Sequence, residues 1–271
     1  MSNDTVDKLV IFLAKRDGID KLVKTFQYVS KLTHWRLEAS NPSAAARAKN
    51  CEVASGLSRK AFRTGRFLTG FNALRRNPGE SLGFRVLSVL ANSGEMVYFF
   101  FDHFLWLARV GVIDANLARR MSFVSAFGES FGYVFFIVAD LIFLRRGLQR
   151  EREIARLKKG KTTASDAEEH KPTTLNPEND KSSNAGSETE TTTLKRKENE
   201  TASLKEKEAE EAVGRIRADR VMRLMAVAAN VADLIIGLAD IEPNPFCNHA
   251  VTLGISGLVS AWAGWYRNWP T

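Results

Sequence analysis

Four apolar stretches, each about as long as a bilayer-crossing helix and most of them interrupted by charge, constrain this chain more than any other feature. Val86 to Ala108 is richest at MVYFFFDHFLWLA and holds Glu95, Asp102 and His103. Ser122 to Leu144 holds Glu129 and Asp140, and Val221 to Ile241 holds Arg223, Asp233 and Asp240. Ala250 to Tyr266 has no charge and ends in aromatic residues of the kind found at membrane interfaces. A helix of roughly 20 apolar residues spans the hydrocarbon core, and the last stretch lies at the short end of that range. The expected fold is all-α: membrane-associated helices, N-terminal amphipathic helices followed by two pairs of apolar helices.

The two pairs are separated by a polar segment, Lys158 to Glu211, which has no aromatic residue and is dense in Lys, Glu, Thr, Ser and Asn. Such a composition buries too little apolar surface to offset chain entropy, so disorder is expected there. The segment carries ten basic and thirteen acidic residues, so the rest of the chain holds +11 although the whole is +8. That excess points to an anionic partner, with nucleic acid and anionic lipid as the main classes. The expected domains are 1–85, an amphipathic helical region at the membrane interface; 86–157, the first apolar pair with a basic end; 158–212, the disordered charged linker; and 213–271, the second apolar pair.

Within the first region, Leu9, Phe12, Leu13 and then Ile19, Leu22, Val23, Phe26 and Val29 fit two helical pieces broken near Asp17-Gly18. Asn41-Pro42 starts a further helix, since proline suits a first helical turn, and the pattern carries it to about Arg76. On that helix Val53, Leu57, Ala61, Leu68 and Phe71 share a face, with Phe67 and Leu74 at its edge. Arg59, Arg63 and Arg66 form a strip away from it. This is the composition of an interfacial helix, with apolar groups inserted and arginines at the headgroups. The alternative for this segment is a basic helix packed on a partner helix in a bundle. Nucleic-acid binding is a weaker third reading, because no helix-turn-helix, zinc or aromatic-stacking motif accompanies the arginines.

The ionisable groups in the apolar stretches mark a proton relay or metal site in the sharp reading, and pairing between helices or placement at headgroup level in the plainer, favoured one. His34, His170 and His249 are scattered, leaving Asp102-His103 without a second histidine nearby. Gly128-Glu129-Ser130-Phe131-Gly132 has the spacing of a serine-nucleophile motif but lies in an apolar helix without the strand-turn-helix context, so glycine and serine there mark close packing. Ser256, Ser260 and Gly264, with Gly257 and Ala261, repeat every four residues and would let another helix approach closely. No enzyme, cofactor or metal is expected. Cys51 and Cys247 are too few for a disulfide framework or zinc site, and the N-terminal run lacks the parts of a secretory signal. The C-terminal residues are not Ser-Lys-Leu, so a peroxisomal chain of this kind would use internal signals. Arg145, Arg146, Arg150, Arg152 and Arg156 place the linker in the cytosol, and four spans would leave both termini there. Arg109, Arg119 and Arg120 then fall in a luminal loop, against that tendency.

The stretches DTVDKLVIFLAKRDGIDKLVKTFQYVSKL, EVASGLSRKAFRTGRFLTGFNALRRNPGES, LANSGEMVYFFFDHFLWLARVG and ISGLVSAWAGWYRNWP closely resemble the plant peroxisomal membrane protein 11 (peroxin-11) family, most of all its A or B type. The resemblance covers the chain except the linker. It implies an integral, multi-pass protein of the peroxisomal membrane that self-associates and joins related members. It further implies remodelling of the bilayer for peroxisome elongation, proliferation and fission, and help in recruiting dynamin-related fission proteins and their tail-anchored adaptor. The family's inserting amphipathic helix maps to about Val53 to Leu74. Val53, Leu57, Phe67, Leu68, Phe71 and Leu74 are then expected to insert, and Arg59, Lys60, Arg63, Arg66, Arg75 and Arg76 to bind anionic headgroups. Alternatives are a channel for small metabolites, suggested for some members, and a soluble helical adaptor, against which the uncharged C-terminal stretch argues.

Overall fold

The structure, a computed structural model, describes residues 4–76, 79–169 and 187–270. All regular structure among the described residues is helical: α1 Thr5–Ala14, α2 Arg16–Leu37, α3 Pro42–Phe62, α4 Phe67–Arg76, α5 Leu82–Arg109, α6 Asn116–Glu169, α7 Ser187–Ile241 and α8 Ala250–Asn268. Two compact units result. One comprises Met1–Ile142 with Met222–Thr271, and the other Phe143–Val221.

The helix starts follow from local chemistry. Asp4, Asn41 and Ser81 cap α1, α3 and α5 by accepting from backbone amides, and Pro42 opens α3 where a missing amide costs nothing. The break between α1 and α2 falls at Lys15, extended at φ −89° and ψ 135°, slightly before the expected Asp17-Gly18. Gly18 instead serves the close return of α1 over α2: an added Cβ would lie 1.9 Å from the Phe12 carbonyl oxygen.

One expectation is corrected. The single helix extending to Arg76 is divided at residues 63–66, where Gly65 takes a left-handed φ of 73° between the end of α3 and the start of α4. Between the apolar pairs, α6 runs on as far as Glu169 and α7 starts at Ser187; residues 170–186, on which the expected disorder also falls, lie outside the described residues. A scarcity of apolar groups argues against a core, whereas Lys, Glu and Ala remain good helix formers. In the second unit Arg217 meets Glu151 at 2.9 Å, and Lys158 meets Glu210 at 3.2 Å.

In the first unit, helices approach where side chains are smallest. Across α5 and α6, a Cβ on Gly94 would stand 2.5 Å from the Gly132 amide nitrogen and 2.7 Å from the Gly128 carbonyl oxygen. The Gly128–Gly132 spacing therefore serves backbone contact, and Ser130 Oγ lies beneath Gly237 of α7. On α8, the face of Ser256, Gly257, Ser260, Ala261 and Gly264 is buried. Tyr28 of α2 lies over Gly257, and Lys21 over Gly264. Among the described residues, Asn116–Lys158 and Glu206–Ile241 are long and apolar enough to cross a membrane.

Gly94→Ala forces backbone against backbone and is expected to destabilise by about 1–3 kcal/mol. Gly83→Ala, with open space around its Cβ, is expected to be neutral or slightly stabilising. Thermal unfolding of the two purified variants in detergent checks the contrast.

Candidate functional site

The basic strip of α3 and the following turn points inward. Asp20 of α2, 1% exposed, takes hydrogen bonds on Oδ1 from Arg59 Nε and Arg63 Nε, both at 3.2 Å. Arg59 also donates to Gln27 Oε1 at 2.7 Å. Lys60 donates to Asp102 of α5, itself 2% exposed, and Arg63 lies 3.8 Å from the same carboxylate. Arg66 bonds Asp17 at 2.8 Å and stacks over the Phe99 ring at 4.9 Å. The turn is fastened to α5 through the Gly65 amide, which donates to His103 Nε2 at 2.9 Å.

Burial opposes ionisation of Asp20, but the Arg63 and Arg59 guanidiniums overcome it and hold its carboxyl well below the usual range. Burial lowers the Lys60 ammonium, with Asp102 pulling the other way. Burial likewise brings Lys24 down to about 7, against the attraction of Asp233. Lys24 of α2, Asp233 of α7 and Ser260 of α8 form a closed triad: Lys24 donates to both partners, and Ser260 Oγ donates to Asp233 at 2.6 Å. Lys24 and Asp233 edge a cavity of about 300 Å³ whose lining also includes Lys31, Arg109, Glu129 and Asp240.

The sequence-selected residues thus separate. Arg59, Lys60, Arg63 and Arg66 are engaged by acids of α2 and α5, on a side away from exposed Val53 as helical spacing places them. Arg75 and Arg76 on α4 are exposed. Leu68 and Phe71 are 56% and 57% exposed, and Val53 is also exposed. Leu57 and Leu74 are half-buried, and Phe67 sits edge-on to Phe100 at 5.9 Å. Of the ionisable groups in the apolar stretches, Asp102 and Asp233 pair as above, Asp140 meets Arg223 at 3.0 Å, and Glu129 accepts from Tyr133 at 3.0 Å. No group of metal-ligating side chains occurs among the described residues.

Asp17, Asp20, Lys24 and Gln27 were not singled out from the sequence. Their three- and four-residue spacing on α2 gives them one face, on which Asp17, Asp20 and Gln27 meet Arg59, Arg63 and Arg66 while Lys24 pairs with Asp233. That match was the available signal.

The unit buries charge as well as apolar groups and leaves large apolar groups outside: Asp20, Lys24, Glu52, Arg59, Asp102 and Asp233 are buried along with Phe12, Phe99 and Leu105, while Val10, Phe71, Phe123, Phe127, Leu141 and Trp262 are exposed. Buried charges in soluble proteins are uncommon and large apolar faces are usually covered, whereas a lipid surround favours paired charges inside and apolar groups outside. Together with two membrane-length helices, this defines a helical membrane protein with an ion-paired interior. Residues 6–269 match the profile of Peroxisomal biogenesis factor 11 (PEX11), and the chain belongs to that family of peroxisomal membrane proteins. It is 63% identical to Peroxisomal membrane protein 11-4 of Oryza sativa subsp. indica, covering 100% of this chain and 99% of the relative. Identity to Peroxisomal membrane protein 11B of Arabidopsis thaliana is 60%, with 100% of both chains covered. The Peroxisomal membrane protein 11 homolog of Dictyostelium discoideum is 26% identical over 99% of this chain and 96% of its own length. No solved structure matches.

Asp20→Asn leaves Arg59 and Arg63 buried without their counter-ion and is expected to cost about 3–5 kcal/mol. Folding lowers this carboxyl's pKa, so its stabilisation is fully present above the ordinary aspartate value, near pH 4, and is lost as the pH falls to the depressed value. Detergent unfolding curves across the acid range check both effects, with the acid-side decline shallower in Asp20→Asn.

Proposed function

We propose that the chain remodels the peroxisomal membrane as a non-catalytic, self-associating multi-pass protein, driving elongation, proliferation and fission. What supports this most is α4: Leu68 and Phe71 stand out from the folded unit, with exposed Arg75 and Arg76 one turn beyond. Apolar groups wedged into one leaflet expand it relative to the other, while each arginine near an anionic surface adds up to about 1 kcal/mol of attraction. Curvature then grows with the number of copies gathered. Related family members and the dynamin-related fission proteins with their tail-anchored adaptor are the proposed partners. In this reading α5 and α8 cross beside the two longer helices, and both termini face the cytosol.

Leu68→Glu with Phe71→Glu places carboxylates on an exposed face and is expected to abolish tubulation of anionic liposomes by the reconstituted chain. Residence in the membrane, read as resistance to alkaline carbonate extraction, is expected to persist. Unchanged tubulation refutes insertion through α4.

A second reading, a channel for small metabolites, rests on the polar cavity of about 300 Å³. Its expected signature is an ion current in planar bilayers that Glu129→Gln alters, since Glu129 lines the cavity. A silent bilayer removes this reading and leaves the remodelling one intact.

A further inference from the structure

Four of the six groups expected to bind headgroups are, in the folded chain, already paired with acids. Arg59, Lys60, Arg63 and Arg66 lie side by side through the end of α3 and the Gly65 turn, and each is paired with Asp17, Asp20 or Asp102. We propose that these three acids form an internal latch, and that an anionic membrane surface opens it by competing for the four cations. This rests on the membrane-remodelling reading and adds its control step: the basic strip is withheld until a suitable bilayer is met.

Three observations carry the proposal. First, the pairing is incomplete. Asp20 uses the single oxygen Oδ1 for both guanidiniums, and Oδ2 of Asp20 and of Asp102 has no hydrogen-bond partner although buried. Charges buried with unsatisfied lone pairs gain less than well-ordered pairs, so exchanging them for headgroup phosphates and water is less opposed.

Second, the chain is jointed where the latch ends. Gly65 has a left-handed φ of 73° and nothing within 4 Å of an added Cβ, while the turn is held by side chains alone: the Gly65 amide donates to His103, Arg16 donates to the Thr64 carbonyl oxygen at 2.7 Å, and Arg66 pairs with Asp17 and stacks on Phe99. The joint has room to change direction. Third, α4 just beyond it presents Leu68, Phe71, Arg75 and Arg76 outward. These can touch a bilayer while the latch is closed, so first contact needs no opening and brings the phosphates close to the withheld cations.

Specificity follows from the competition. A neutral bilayer can take the apolar groups of α4 but offers the four cations no net counter-charge, so the acids keep them. An anionic surface can replace all three acids together, and the freed Asp20 carboxylate still faces Lys21, 3.8 Å away.

Zero-length carbodiimide coupling of the full reconstituted chain tests this, because it joins an amine and a carboxylate only while they touch. In phosphatidylcholine vesicles mass spectrometry is expected to find the Lys60–Asp102 amide. With phosphatidylserine at about one lipid in three the yield is expected to fall by about ten-fold. The Lys158–Glu210 link in the other unit, at 3.2 Å, serves as the internal standard. Inorganic phosphate added to the neutral vesicles is expected to leave the Lys60 link in place, and its loss with phosphate alone overturns the assignment to a membrane surface. Tubulation is scored in the same samples. A link that persists while anionic vesicles tubulate overturns the latch and spares the remodelling reading. A link lost without tubules supports the latch and refutes remodelling, and a link kept without tubules refutes both.

Discussion

The sharing of Asp20 by Arg59 and Arg63 is the interaction on which the N-terminal half of this protein depends. One carboxylate, almost wholly removed from solvent, ties α2 to the end of α3. A buried charge is tolerable only when compensated, so α3 must lie along α2 with its basic side inward. Everything else about the segment follows from that. Val53, among the apolar residues of α3, is left outside. Asp102 then receives Lys60, and His103 takes the amide of the turn.

The same logic, charges in and hydrocarbon out, extends through the rest of the unit. Lys24, Asp233 and Ser260 close on one another across α2, α7 and α8, and the helices reach that depth because glycines and serines clear the way. Gly257 admits the Tyr28 ring, while Gly94, Gly128 and Gly132 allow α5 and α6 to touch backbone to backbone. In lipid, where apolar burial between helices gives little driving force, close backbone packing and polar pairing are what remain to hold helices together.

Much of the architecture was legible in the residues. The four apolar stretches became α5, parts of α6 and α7, and α8; the Asn41-Pro42 start was found where the capping chemistry puts it. Full-length kinship with the plant family was legible in four quoted stretches. The direction of the arginines was not. Helical spacing states which residues share a face, but whether that face looks at lipid or at Asp20 depends on residues about forty positions away.

The sequence by itself determined the helical class, the positions of the membrane-length segments and the family, since these rest on local periodicity, apolar run length and long matching stretches. Only the tertiary structure decided which charges are spent inside and which face outward. Pairing is settled by proximity in space: only where α2, α3 and α5 have met do Asp20 and Asp102 claim the arginines and lysine that a lone helix would have offered to a membrane.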